Sequence, residues 1–160
     1  VDVIILDMPG IAGECLLKDY VGKIECLSYS HAVAMQMTSD VSNKERTSGK
    51  PNVQDFTISK YMDKSSPLMN QTCCEGGKIG DCIVTIGRNE AGLVMPLMVY
   101  TLKEVMISSI SAASSGGDKP AETVTLNFTA IQWDYTAQKS DSSKEGTAPG
   151  KWDMKTNTAS

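Results

Sequence analysis

A chain of 160 residues, 41% of them hydrophobic, is long enough to bury a sizeable core as one domain over residues 1–160. Charged residues make up 21% and the net charge is -4, so a basic face for a phosphate backbone is lacking and nucleic acid is disfavoured as a partner. No apolar run approaches the ~20 residues of a membrane helix, and Val3 to Leu6, bracketed by Asp2 and Asp7, is too short for a signal-peptide core. The visible chain is therefore expected in the cytoplasm when made, without membrane insertion.

Ile24 to Met37 alternates like a strand. Leu27, Tyr29, His31, Val33, Met35 and Met37 share one side, expected to face the core, and Cys26, Ser28, Ser30, Ala32, Ala34 and Gln36 share the other. Neither side carries charge from Cys26 to Met37, which is unusual for a strand facing bulk water. The small, weakly polar side suits a channel wall, a subunit contact or a tightly packed sheet face. Asp40 to Asn52, polar and containing Gly49 and Pro51, reads as an exposed loop.

Phe56, Ile58 and Met62 against Asp55, Thr57 and Ser59 describe a half-buried strand. Ser66 is placed to cap a helix over Pro67 to Glu75 that Gly76 and Gly77 stop, with Cys73 facing inward and Cys74 outward. Cys82, Val84 and Ile86 then alternate into a turn over Gly87 to Gly92. Leu97 to Ile110 reads as a long strand, with Pro96 at its start or on an edge because it cannot donate to a ladder. Ser111 to Ala121 and Gln138 to Gly150 read as further loops, and Trp152, Met154 and Thr156 as a closing strand.

Between those loops, Val124 to Tyr135 changes phase. Val124, Leu126, Phe128 and Ala130 lie on one face, then Ile131, Trp133 and Tyr135 on the other. Strict alternation along a strand allows this only with a bulge or a passage from one apolar environment to another. The expected fold is mainly β: a small barrel of antiparallel strands with one short α-helix and long exposed loops.

Catalytic chemistry finds few candidates. His31 is the only histidine, and the adjacent Ser30 should point to the opposite face of its strand, away from any base. Nucleophile-elbow, phosphate-loop and zinc-protease motifs are missing from the sequence. Glu104 and Asp134 read as strand-surface charges paired with lysines. The five cysteines, Cys15, Cys26, Cys73, Cys74 and Cys82, include no C-x-x-C pair and read as reduced thiols. A zinc site from Cys73, Cys74, Cys82 and His31 would lack a known ligand spacing. No catalytic, cofactor or metal residue is assigned, and an enzyme is not expected.

Val53 to Met69 (V-Q-D-F-T-I-S-K-Y-M-D-K-S-S-P-L-M), Leu102 to Ser111 (L-K-E-V-M-I-S-S-I-S) and Glu122 to Phe128 (E-T-V-T-L-N-F) resemble the haemolysin-coregulated protein (Hcp) family of bacterial type VI secretion. The likeness extends to Gly13-Glu14, Ser28 to His31 and Trp152, in the family's order over nearly the whole chain. Departures are Cys15, where a serine is common, the Cys73-Cys74 pair and Pro96.

The resemblance implies a barrel with an attached helix that assembles into homohexameric rings. In the family, rings stack into the inner tube of a contractile machine with a spike protein and a sheath, carry effector proteins in the lumen, and are secreted without a cleaved signal peptide. On that view Ser28 and Ser30 are candidates to line the lumen and touch cargo, and Ile131, Trp133 and Tyr135 to contact a neighbouring subunit. Axial contacts would fall on the loops at Asp40 to Asn52 and Ser111 to Ala121. The rival reading is a barrel that binds a small molecule within each subunit.

Overall fold

The structure is a computed structural model that describes residues 2–37, 48–117, 119–138 and 144–159. Its strands in chain order are β1 (Asp2–Asp7), β2 (Ile24–Cys26), β3 (Ser28–Ser30), β4 (Val33–Met37), β5 (Ser48–Val53), β6 (Phe56–Tyr61), β7 (Gly80–Glu90), β8 (Leu93–Ala113), β9 (Ala121–Asn127), β10 (Ala130–Gln138) and β11 (Lys144–Asp153). The helix α1 covers Ser66–Glu75, between β6 and β7.

The expected architecture, mainly β with one short helix, is the one the chain adopts. The main sheet runs β2-β1-β7-β8-β9-β6-β3, with β10 and β11 added beside β8, and β4 and β5 form a separate hairpin. These ladders do not close on themselves. The two ends of the path are instead consecutive in the chain: β2 pairs with β1, and after Leu27 the same segment pairs with β6 as β3. Leu27 itself donates its N–H to the Ser59 carbonyl at 2.7 Å.

One apolar cluster draws Leu6, Ile24, Phe56, Ile58, Met69, Val84, Leu102, Leu126 and Ile131 from seven strands and from α1. Burying side chains of this size contributes about 1.5–3 kcal/mol each. Period-two alternation supplies it: β6 reads buried at Phe56, Ile58 and Lys60, and β9 at Glu122, Val124 and Leu126.

The central element is β8. Its 21 residues exceed any expected strand, because it pairs with β7 on one side and with two successive strands on the other. Met98 to Lys103 pair with β10, and Met106 to Ala113 with β9. Between them Glu104 adopts φ 51, a left-handed conformation unfavourable for a residue with a Cβ. This is the cause of the phase change: Val124 to Tyr135 is two strands, broken at Phe128 and Thr129, where the Thr129 N–H donates to the Lys103 carbonyl at 3.0 Å.

Several expectations need correction. The helix has Ser65, not Ser66, as its N-cap residue, with no side-chain cap, and Ser66 is buried in the first turn. Its C-terminus is as expected, with Gly76 at φ 63 and the Gly77 N–H returning to the Thr72 carbonyl. Ser48 to Asn52 of the expected loop belong to β5, while residues 40–47 lie outside the described residues. Lys144 to Gly150 pair with β10 as part of β11 instead of forming a loop; residues 139–143 lie outside the described residues. The second loop begins only after Ala113. The turn after β7 shrinks to Ala91 and Gly92, at φ 51 and 81, the signs a two-residue hairpin of type I′ requires. Pro96 stands opposite Gly87 at a bulge, beyond the reach of β10, so its missing donor costs little.

The single strand expected over Ile24 to Met37 is also three. Ile24 and Cys26 are buried, then the phase slips at Leu27, which is 50% exposed, as is Val33. Neither faces the core. Tyr29 and His31 do, through aromatic contacts.

Candidate functional site

The outer face of the β3-β6-β9-β8 sheet is the most distinctive surface of the molecule. Its register aligns Ser28, Ser59, Thr123 and Ser111 across the strands, and next to them Ser30, Thr57, Thr125 and Ser109. Each row of hydroxyls crosses about 14 Å, given strand spacings near 4.8 Å. Ser28, Ser30, Thr123, Ser109 and Ser111 are exposed, with Thr57, Ser59 and Thr125 half-buried.

A bulge between Ile107 and Ser109 turns Ser108 to the same side. There Ser108 Oγ and Thr125 Oγ1 are 2.7 Å apart. The nearest carboxylate on this face, Asp55, is bonded by Ser108 Oγ at 2.8 Å and Asn127 Nδ2 at 3.0 Å. Hydroxyls donate and accept and impose no net field, so this wall can wet a passing surface without selecting its charge. Ser28 and Ser30 were legible from alternation in one strand. The other members require the pairing of segments as much as 68 residues apart, Thr57 with Thr125, which a sequence does not display.

Behind the wall, Tyr29 stacks on Phe56 with centroids 5.6 Å apart. His31 follows among Phe56, Tyr100, Phe128 and Trp133, at 5.5, 6.1, 6.0 and 6.3 Å. Burial pulls its imidazole below the usual histidine range. Ser30 projects to the opposite face, so the two form no nucleophile and base pair.

The two ends of this sheet differ. Beyond Ser30 and before Phe56 the β4-β5 hairpin leaves it, presenting Val33 and Met35 at 50% and 42% exposure. At the other end, Leu27, Tyr61 and Met62 are also exposed and line an open cavity of about 370 Å³ together with the charged Glu14, Glu25, Asp63 and Lys119.

The candidate subunit contacts separate. Ile131 is 1% exposed and consumed by the subunit's own core, so it offers no surface; Trp133 is half-buried, and only Tyr135, at 44%, stands free. All three share a strand face, but that face outruns the core beneath it. Glu104 meets Lys155 at 2.6 Å, as expected of a surface charge. Asp134 instead accepts from the Gln132 amide, at 3.2 and 3.1 Å. Cys73 is half-buried and Cys74 exposed, as helical geometry implied. Among the described residues no three His, Cys, Asp or Glu side chains converge as metal ligands.

Sequence reasoning missed a buried ion pair, Lys60 with Glu122, at the Tyr61 end of the same sheet. Alternation through Phe56 and Ile58 places Lys60 inward and would have found it.

Comparison with known proteins agrees with the geometry. The profile of the family described as "Type VI secretion system effector, Hcp" matches residues 5–135. The chain is 40% identical over 111 residues to Protein hcp1 of Pseudomonas aeruginosa, covering 68% of each chain. A solved structure described as a type six secretion system protein superposes with a TM-score of 0.91 at 20% identity, covering 99% of both chains. Hcp1 from Salmonella typhimurium superposes at 0.81 with 23% identity, covering 98% of this chain and 97% of that one.

Proposed function

This chain belongs to the Hcp family of type VI secretion, and from that premise we propose that it is a subunit of the secretion tube, made in the cytoplasm and exported without a cleaved signal peptide. Six copies close into a ring, rings stack head to tail, and the lumen carries effector proteins. A spike protein and a contractile sheath complete the set of partners.

The observation that carries this reading is the pair of registered hydroxyl rows. A wall of hydroxyls spanning the sheet, with its nearest carboxylate, Asp55, already bonded by Ser108 and Asn127, suits a lumen that must hold varied cargo and release it. Ser28 and Ser30 belong to it, and Ser30 touches cargo. Ring closure is heterologous and needs two different patches on each subunit. Tyr135, with the uncovered part of Trp133, contributes one. Stacking is also heterologous, and the opposite ends of the sheet differ as it requires: the β4-β5 hairpin, with Val33 and Met35, meets the cavity of the next ring, where Leu27, Tyr61 and Met62 lie among the charged Glu14, Glu25, Asp63 and Lys119. The loop after Ala113 lies on the same end as that cavity, the Met62 N–H donating to the Pro120 carbonyl at 2.9 Å.

Ser30→Arg tests the lumen. Light scattering should return the mass of a hexamer, and a co-expressed effector should no longer co-purify. If Ser30 instead sits in a subunit interface, the buried guanidinium breaks the ring. Intact rings with unchanged cargo retention would overturn both placements, and a monomeric wild type would overturn the assembly.

A further inference from the structure

His31 occupies the corner where β3 leaves the hydroxyl-lined sheet and the β4-β5 hairpin begins. Just past it, the Ala32 carbonyl accepts the Gln54 N–H at 3.0 Å, so His31 and this bond form the root of the hairpin. Among the described residues neither imidazole nitrogen makes a hydrogen bond of good geometry, and both are buried; the backbone of Gln54 is the polar group that acts on the ring. A polar ring is thus seated as if it were an aromatic hydrocarbon, at the point where the hairpin leaves the main sheet.

We propose that His31 is a proton-operated latch: the neutral ring packs in the aromatic box and fixes the hairpin, and the imidazolium leaves the box and frees it. The groups that face the ring are Phe56 on β6, Tyr100 on β8, Phe128 after β9 and Trp133 on β10, with Tyr29 of β3 behind them, stacked on Phe56. The titratable ones are phenols. Tyr29 and Tyr100 bond to each other at 3.5 Å, and burial pushes Tyr100 upward, so it stays neutral where a histidine titrates. The backbone of Gln54 favours the charged ring, but burial outweighs it, and among the described residues no carboxylate or cation acts on the imidazole.

The sign follows from linkage. A histidine held below its unfolded value of about 6.5 costs no stability above that pH, and stability falls as pH drops through the folded value. Proton uptake is therefore coupled to release of the ring. If the hairpin makes the axial contact, which rests on the function proposed above, acid parts stacked rings before it dissociates each ring.

Because His31 is the chain's only histidine, its ring protons give one unambiguous NMR signal. The test titrates the wild type and His31→Phe from pH 7.5 to 4.5, following that signal, the methyls of Val33 and Met35, and particle mass. The expected result is a His31 midpoint below about 6.5, hairpin methyls that shift in step with it, and His31→Phe keeping its neutral-pH hairpin signals throughout. A midpoint at or above that value, hairpin signals indifferent to it, or the same transition in His31→Phe would overturn the latch. Particle mass reports assembly separately: a monomer with a coupled hairpin retains the latch and removes the tube.

Discussion

Lys60 Nζ lies 2.9 Å from Glu122 Oε1, and the two side chains, 0% and 1% exposed, are directly opposite in the β6-β9 ladder. The ammonium also contacts Asp63 Oδ1 and Ser66 Oγ, each at 3.2 Å, and Ser66 Oγ bonds Glu122. The charge pair therefore ties two strands to the first turn of α1. This explains why Ser66 does not cap the helix: its hydroxyl is committed to the network.

Glu122→Ala should cost about 3–5 kcal/mol, because it strands a buried ammonium with weaker partners. Lys60→Met combined with Glu122→Leu should recover most of that loss, since apolar side chains of similar volume remove the desolvation cost of both charges. Urea unfolding of the single and double variants measures this. A double variant no more stable than Glu122→Ala would show that the ions themselves hold the helix.

Ile131 and Tyr135 share a strand face but should respond oppositely to truncation. Ile131→Ala opens a core cavity and should lower subunit stability by about 2–5 kcal/mol. Tyr135→Ala should leave subunit stability within about 0.5 kcal/mol, as surface substitutions do, while shifting ring dissociation to higher protein concentration. Denaturation and light scattering together separate the two, and rings unaffected by Tyr135→Ala would move the subunit contact elsewhere.

Burial pushes the Cys26 and Cys82 thiols up to about 12. Alkylation of the native protein at pH 8 should therefore label Cys74 first and leave Cys26 and Cys82 unlabelled until unfolding. The raised values also set a sign. The stability linked to these thiols is fully present below their unfolded value of 9.0 and is lost as pH rises from there toward about 12. Unfolding midpoints that stay flat from pH 9 to 11 would contradict this.

A methyl group at Gly13 would stand 2.4 Å from the Lys23 carbonyl oxygen and 2.8 Å from Ile24 Cα, both backbone atoms. Gly13→Ala should thus destabilise by about 1–3 kcal/mol, the range for overpacking. Gly117→Ala, where a methyl meets nothing within 4 Å, is the control and should be neutral. A neutral Gly13→Ala would mean that the loop closed by the Gly13 N–H and the Gly22 carbonyl, at 2.8 Å, can shift freely.

The sequence by itself determined the fold class, the helix and its Gly76 stop, and the exposed Ser28 and Ser30, because these follow from local periodicity and from backbone preferences within a few residues. The family stretches were legible in the same way, as runs of consecutive residues. Only the tertiary structure decided what depends on distant segments. It divided Val124 to Tyr135 between two partners of β8, withdrew Ile131 into the core while leaving Tyr135 free, and turned Leu27 outward at the crossing from β1 to β6. It also assembled Ser28 and Ser30 with hydroxyls of three other strands. The physical reason is that alternation states which residues share a face, whereas the register between strands states what that face meets, and register is set by the packing of the whole sheet around its core.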